Sequence, residues 1–169
     1  MDKMQFWNVI DASRNDSEGD PEAQLDALRE RLTGLSESDI ADFERIFSEY
    51  HDRAYDWGLW GAAYVIGGGC SDDGFMDFRG WLISRGEKAY EAGLADPDSL
   101  VDVVTDNDDY CQVEGFQYLA SEAWEAKTGK SADGLPRAKL PFREKPDGEE
   151  WAEDALTVRF PRLSARFDG

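Results

Sequence analysis

The sequence predicts an all-α or mostly α fold: a single compact helical domain closed by an irregular C-terminal segment. Two observations carry that expectation. Apolar residues at Ile40, Phe43, Phe47, Tyr50, Ala54 and Trp57 recur three and four residues apart, the spacing that lines one face of a helix. Helix-start residues recur at Asp20, Ser36, Ser71 and Asp96, each able to accept from a backbone amide that has no partner inside the helix. Composition agrees. The 169 residues are 41% hydrophobic and 33% charged, enough apolar material to bury a core without disulfide or metal staples.

Each element has its own signal. Met4–Ser13 reads as a helix with Phe6, Trp7 and Ile10 on one face, followed by a polar loop to Asp20. Asp20-Pro21 is an N-cap with proline at the first helical position; Leu25, Leu28 and Leu32 follow, and Gly34 closes the element. Ser36-x-x-Asp39 resembles a capping box and opens the long stripe that runs to Trp57, with Gly58 and Gly61 as expected kinks or ends. Leu59–Ile66 is apolar all round, which predicts a buried helix, a buried strand being the alternative. Gly67–Gly69 is a loop, Ser71 caps the next helix, Phe75, Phe78 and Leu82 form its stripe, and Gly86 ends it. A short helix follows at Glu87–Leu94, and Asp96-Pro97 starts another with Leu100, Val103 and Val104 apolar. Asn107–Tyr110 reads as an acidic loop, and Gly115–Lys127 as a helix with Phe116, Leu119, Ala123 and Trp124 inward and Gly129 beyond its end. From Lys130 the texture changes: Pro136, Pro141 and Pro146 punctuate a stretch without period. The expected organisation is one domain, with an acidic helical body at 1–129 and a C-terminal segment at 130–169 packed across it.

The charge is uneven. Of the net −19, residues 130–169 contribute nothing, with eight basic and eight acidic residues, while residues 1–129 carry ten basic and 29 acidic. Such a body repels phosphate backbones and anionic lipid surfaces, so nucleic acid and membrane are not the expected partners. A basic protein partner is the expectation, with solubility alone as the plainer reading. Cys70 and Cys111 do not make a disulfide framework, and the start, Met1-Asp2-Lys3-Met4, shows no basic region followed by a long apolar run. A reducing, cytoplasmic location is expected.

Three strings resemble a known family: Phe6-Trp7-x-x-Ile10-Asp11, Leu59-Trp60-x-Ala62-Ala63-Tyr64, and Gly68-Gly69-Cys70-Ser71-Asp72-Asp73-x-Phe75-x-Asp77-Phe78-Arg79-x-Trp81-Leu82, with Pro97-Asp98-Ser99-Leu100 in support. They are similar to the bacterial domain-of-unknown-function family 4240, over most of residues 4–127. The resemblance implies small stand-alone proteins or domains attached to others, and carries no established activity.

Candidate site residues gather around the glycine loop. Asp73 and Asp77 lie four apart on one helix face with Asp72 beside them. Such carboxylates could hold Mg²⁺ or Ca²⁺ and activate water, with Arg79 or Arg85 stabilising charge on an anionic substrate. The plainer reading is helix capping and a solvated face, or pairing with an arginine. Trp60, Tyr64 and Trp81, with Trp57, could line an apolar pocket with Arg79 and Arg85 as polar handles, or simply be core. Cys70 at a helix start is a nucleophile only if its thiol meets the amides. The one histidine, His51, falls on the polar side of its stripe and is expected at the surface, and a buried structural Cys70 is the better reading. No CxxC, HExxH or nucleophile elbow occurs. The expected function is therefore a non-catalytic interaction or regulatory module, with a metal-assisted hydrolase and a small-molecule binder as alternatives.

Overall fold

A computed structural model describes residues 1–167. Its elements follow the caps. Helix α1 spans Lys3–Asp16, α2 Pro21–Thr33, α3 Glu37–Arg53, α4 Trp57–Gly67, α5 Asp72–Ser84 and α6 Glu87–Ala95. A 3₁₀ turn at Pro97–Asp102 leads through a loop to α7, Leu119–Thr128, and the C-terminal segment adds short α8, Leu156–Arg159, and α9, Pro161–Phe167. Among the described residues there is no strand, and one isolated parallel bridge joins Asp56 to Asp147.

The predicted starts act as caps. Asp20 accepts from the Ala23 amide at 2.8 Å, Ser36 from the Asp39 amide at 3.2 Å, Ser71 from the Gly74 amide at 3.1 Å and Asp96 from the Asp98 amide at 3.2 Å. Two further starts were not anticipated: Asp2, which accepts from the Gln5 amide at 2.8 Å and opens α1, and Asp56. The long stripe does not run to Trp57: α3 stops at Arg53, and Asp56 caps a separate α4 through the Gly58 and Leu59 amides. Ala54 and Trp57 keep helical spacing across the break, which is why the stripe reads as continuous. Gly58 and Gly61 lie inside α4 rather than ending it. A Cβ on Gly61 would stand 2.6 Å from the Phe160 ring, so this glycine lets the C-terminal segment lie against the helix. Gly68, at φ 62°, takes the left-handed conformation that closes α4.

Helix α1 packs on α2, α2 and α3 pack on α7, and α4 takes α9 on its outer side. Phe6, Ile40, Phe43, Phe75, Phe78, Trp81, Leu82 and Phe116 form the interior. Leu135, Leu156, Phe160 and Leu163 carry the same core into the C-terminal segment. Among its described residues that segment forms short helices and one isolated bridge.

Two substitutions test this packing. Ser71→Ala is expected to cost about 1 kcal/mol of unfolding free energy, and Phe78→Ala about 3–5 kcal/mol, both read by urea denaturation.

Candidate functional site

The α4–α5 corner forms an aromatic row. Trp57 stacks on Trp60 at 5.3 Å between ring centroids, Trp60 on Phe75 at 4.9 Å, and Phe75 on Phe78 at 6.1 Å; Phe78 tilts against Trp81 at 5.4 Å. The Trp60 indole donates to the Cys70 carbonyl at 3.0 Å. Tyr64 meets Trp151 at 5.2 Å, and Trp151 in turn packs edge-on against Trp57 at 5.9 Å. Trp60 and Trp81 thus occupy two positions in one stack rather than opposite walls of a pocket, and Trp81 is wholly buried.

The predicted arginines also separate. Arg79 was expected to pair with a carboxylate. It donates instead to the carbonyls of His51, at 2.9 Å, and Phe75, at 3.4 Å, and lies 5.0 Å from the Tyr55 ring and 5.1 Å from Phe75. Burial lowers its pKa to about 10. A guanidinium satisfied by carbonyls and π faces needs no anion beside it. Arg85 is 5% exposed. It donates to the Gly19 carbonyl at 2.8 Å, the Ser84 hydroxyl at 3.1 Å and the Gln24 amide oxygen, and lies 3.7 Å from Asp108.

Asp108, read from sequence as part of an acidic loop, is buried. It accepts from the Trp81 indole at 2.6 Å and from the Thr105 amide and hydroxyl at 2.7 and 2.8 Å. The signal lay in Thr105-x-x-Asp108, a spacing at which an aspartate folds back onto its own turn. The fully buried Gln24 completes the network through Ser13 at 3.1 Å and the Ser84 carbonyl at 3.0 Å. Beside it opens a cleft of about 780 Å³ lined by Arg14, Glu18, Arg85, Lys88, Asp102 and the start of α6, among others. Charges of both signs alternate around it, and its cations are partly spent: Arg14 pairs with Asp11 at 3.2 Å and Arg85 is committed to the network.

The carboxylates of the glycine loop do not converge. Asp72 and Asp73 are exposed in the first turn of α5, where the helix dipole favours negative charge. Asp77 is half-buried and accepts from the Gln117 amide at 2.8 Å. Among the described residues no three histidine, cysteine or carboxylate side chains are grouped to hold a metal ion.

Nor is a nucleophile poised. The half-buried Cys70 thiol is pushed up to about 12 by burial and by the nearby Asp77 and Asp72, the opposite of an activated thiol. Cys111 is buried and shifted up for the same first reason, with Asp108 adding to it. His51, expected at the surface, is half-buried against Phe47, and its Nε2 lies 2.9 Å from the Met76 carbonyl. A carbonyl only accepts, so Nε2 carries a proton. Burial first, and the Arg79 charge second, push its pKa down to about 4.

Acidic residues of the helical body instead receive arginines from the C-terminal segment. Arg137 reaches Glu44, Arg143 reaches Asp52, and Arg162 meets Asp102 at 2.6 Å. Asp98 accepts the Arg162 and Leu163 amides at 3.1 and 2.9 Å, at the start of α9. Glu44 is only 4% exposed, and burial raises its pKa while Arg137 and Ser48 oppose that.

Fold and contacts define the class: a helical, acidic domain on which four carboxylates, Glu44, Asp52, Asp98 and Asp102, are met by its own neutral C-terminal segment. The chain belongs to the family described as Protein of unknown function (DUF4240), whose sequence model matches residues 1–126. No curated protein and no solved structure matches the chain. The family match ends before Arg137, Arg143 and Arg162, so the bracketing arginines lie outside it while Glu44, Asp52, Asp98 and Asp102 lie within.

Asp108→Ala strips the acceptor from Trp81 and the nearest carboxylate from Arg85. The expected cost is about 3–5 kcal/mol, measured by chemical denaturation. His51 sets an acid limb. Between pH 6.5 and about 4 the unfolded imidazole holds a proton that the folded one refuses, so its contribution to stability falls as pH falls through that window. His51→Gln keeps an N–H donor and is expected to flatten the decline of melting temperature across that range.

Proposed function

We propose that this protein is a non-catalytic interaction module whose acidic helical face binds basic segments of partner proteins. One observation carries the reading: the chain already sets arginines of its own C-terminal segment on carboxylates of the body, Arg137 on Glu44, Arg143 on Asp52 and Arg162 on Asp102. The charge distribution supports it, because the whole −19 resides in residues 1–129. A field of that sign speeds encounter with a cationic partner and weakens as salt screens it. The raised thiols, the neutral histidine and the dispersed carboxylates favour recognition over chemistry.

Arginine should be preferred to lysine. Its planar fork meets a carboxylate with two donors and lies flat on aromatic faces, and Arg143 here meets both Asp52 and, at 5.6 Å, the Tyr55 ring. Titration calorimetry with an unstructured arginine-rich peptide is expected to show binding at low salt that weakens as salt rises. A lysine peptide of equal charge is expected to bind more weakly. No binding of either peptide at low salt overturns the reading.

A further inference from the structure

The segment Pro136–Asp147 runs along α3 in the same direction as the helix: Arg137 meets Glu44, Arg143 meets Asp52, and Asp147 bonds to the chain just beyond. Its far end is fixed by backbone, the Asp147 amide donating to the Tyr55 carbonyl at 3.0 Å and the Trp57 amide to the Asp147 carbonyl at 2.8 Å. Between 136 and 146, among the described residues, the backbone makes no hydrogen bond, so side chains alone hold the strap to the helix. Arg137 also donates to Ser121 at 2.9 Å. Arg143 is gripped on three sides, by the Asp52 carbonyl and carboxylate, by Asp147 and by the Tyr55 ring. Residues 136–146 carry four basic side chains and one acidic, the reverse of the body they cover. Leu140 and Phe142 face solvent, Phe142 at 92% exposure, so the strap adds little apolar burial.

Glu44 gives this face its meaning. A buried carboxylate is costly unless paired, and the cation that pairs with it comes from residue 137, outside the family match. The face is thus built for a guanidinium that the family domain itself does not provide.

We propose that the α3 face, Glu44 to Asp52 with Tyr55, is a docking groove for an extended partner segment bearing two arginines six residues apart. The strap 136–147 is its built-in occupant, and a partner segment binds by displacing it. This rests on the interaction-module reading above and places that reading's site. Affinity for a partner is scaled down to the fraction of time the strap leaves the groove open.

The probe is a fluorescein-labelled peptide of the strap's own sequence, residues 135–148, read by fluorescence anisotropy against the full chain. Arg137→Ser with Arg143→Ser opens the groove, and circular dichroism with thermal melting checks its folding. Should that double variant not fold, Arg137→Ala takes its place, since this side chain is half exposed. The opened variant is expected to bind the peptide at least about tenfold more tightly than the unaltered chain. Adding Glu44→Gln and Asp52→Asn to it is expected to abolish binding. A folded, opened variant that binds no more tightly overturns the proposal, as does binding indifferent to Glu44→Gln and Asp52→Asn. Sedimentation showing dimers with exchanged straps in place of a peptide complex also overturns it. The two readings fail separately. If the arginine-rich peptide of the preceding section binds the chain with and without Glu44→Gln and Asp52→Asn, the module stands and its site lies elsewhere. If that peptide does not bind at all, both fall.

Discussion

The buried guanidinium of Arg85 is the constraint around which this structure is arranged. A charge this deep is tolerated only when its donors are met. Meeting them draws in the Gly19 carbonyl after α1, Gln24 from α2, Ser84 from α5 and Asp108 from the loop after the 3₁₀ turn. Arg14 of α1 closes the arrangement by donating to the Arg85 carbonyl. Segments far apart in sequence are thereby held in one register. Asp108 extends that register into the apolar core, because its carboxylate also takes the Trp81 indole proton. The aromatic row from Trp57 to Trp81 and the polar network around Arg85 meet at this one carboxylate.

Charge shapes the exterior as strongly as Arg85 shapes the interior. Residues 1–129 carry nineteen uncompensated negative charges, and a compact state with such an excess works against its own repulsion. The C-terminal segment brings no net charge, yet its arginines are placed on carboxylates: Glu44, Asp52 and Asp102 as ion pairs, Asp98 through backbone amides. Exposed pairs of this kind are worth little singly. Glu44 differs because it is buried, and there the arriving arginine answers a desolvation cost rather than decorating a surface.

How much of this was legible in the sequence depends on whether the information was local. The caps at Asp20, Ser36, Ser71 and Asp96 were readable because a cap needs only its own next turn. The core stripe Phe75, Phe78 and Leu82 was readable because burial follows helical period. The break at Asp56 was hidden by an accident of spacing, since Ala54 and Trp57 stay in phase across it, although an aspartate before Trp57-Gly58 was itself a cap signal. The burial of Asp108 inside the acidic loop was not legible because its partners, Trp81 and Arg85, lie more than twenty positions away. His51 does lie off the stripe, but α5 covers that side, which no single helix can announce. Within the candidate site the helix phase decides: Arg79 lies over the Phe75 ring on which Trp60 stacks, while Arg85, six residues on, turns to Gln24 and Asp108.

What remains exposed decides which chemistry the molecule offers. Acid–base or nucleophilic work needs a group whose proton can leave or arrive near neutral pH. Cys70 and Cys111 hold theirs too tightly, and His51 gives its up only to remain a neutral donor to a carbonyl. Asp72 and Asp73 spend their charge at a helix start, and Asp77 is engaged by Gln117. What the body presents in quantity is carboxylates set on helices. Fixed spacing marks two of them: a diffuse negative field draws any cation, whereas Glu44, which is buried, and Asp52, eight residues apart on one helix, are each met by a particular arginine. The strap meets that separation with Arg137 and Arg143, so under the proposed reading it shows the spacing that a partner segment has to match.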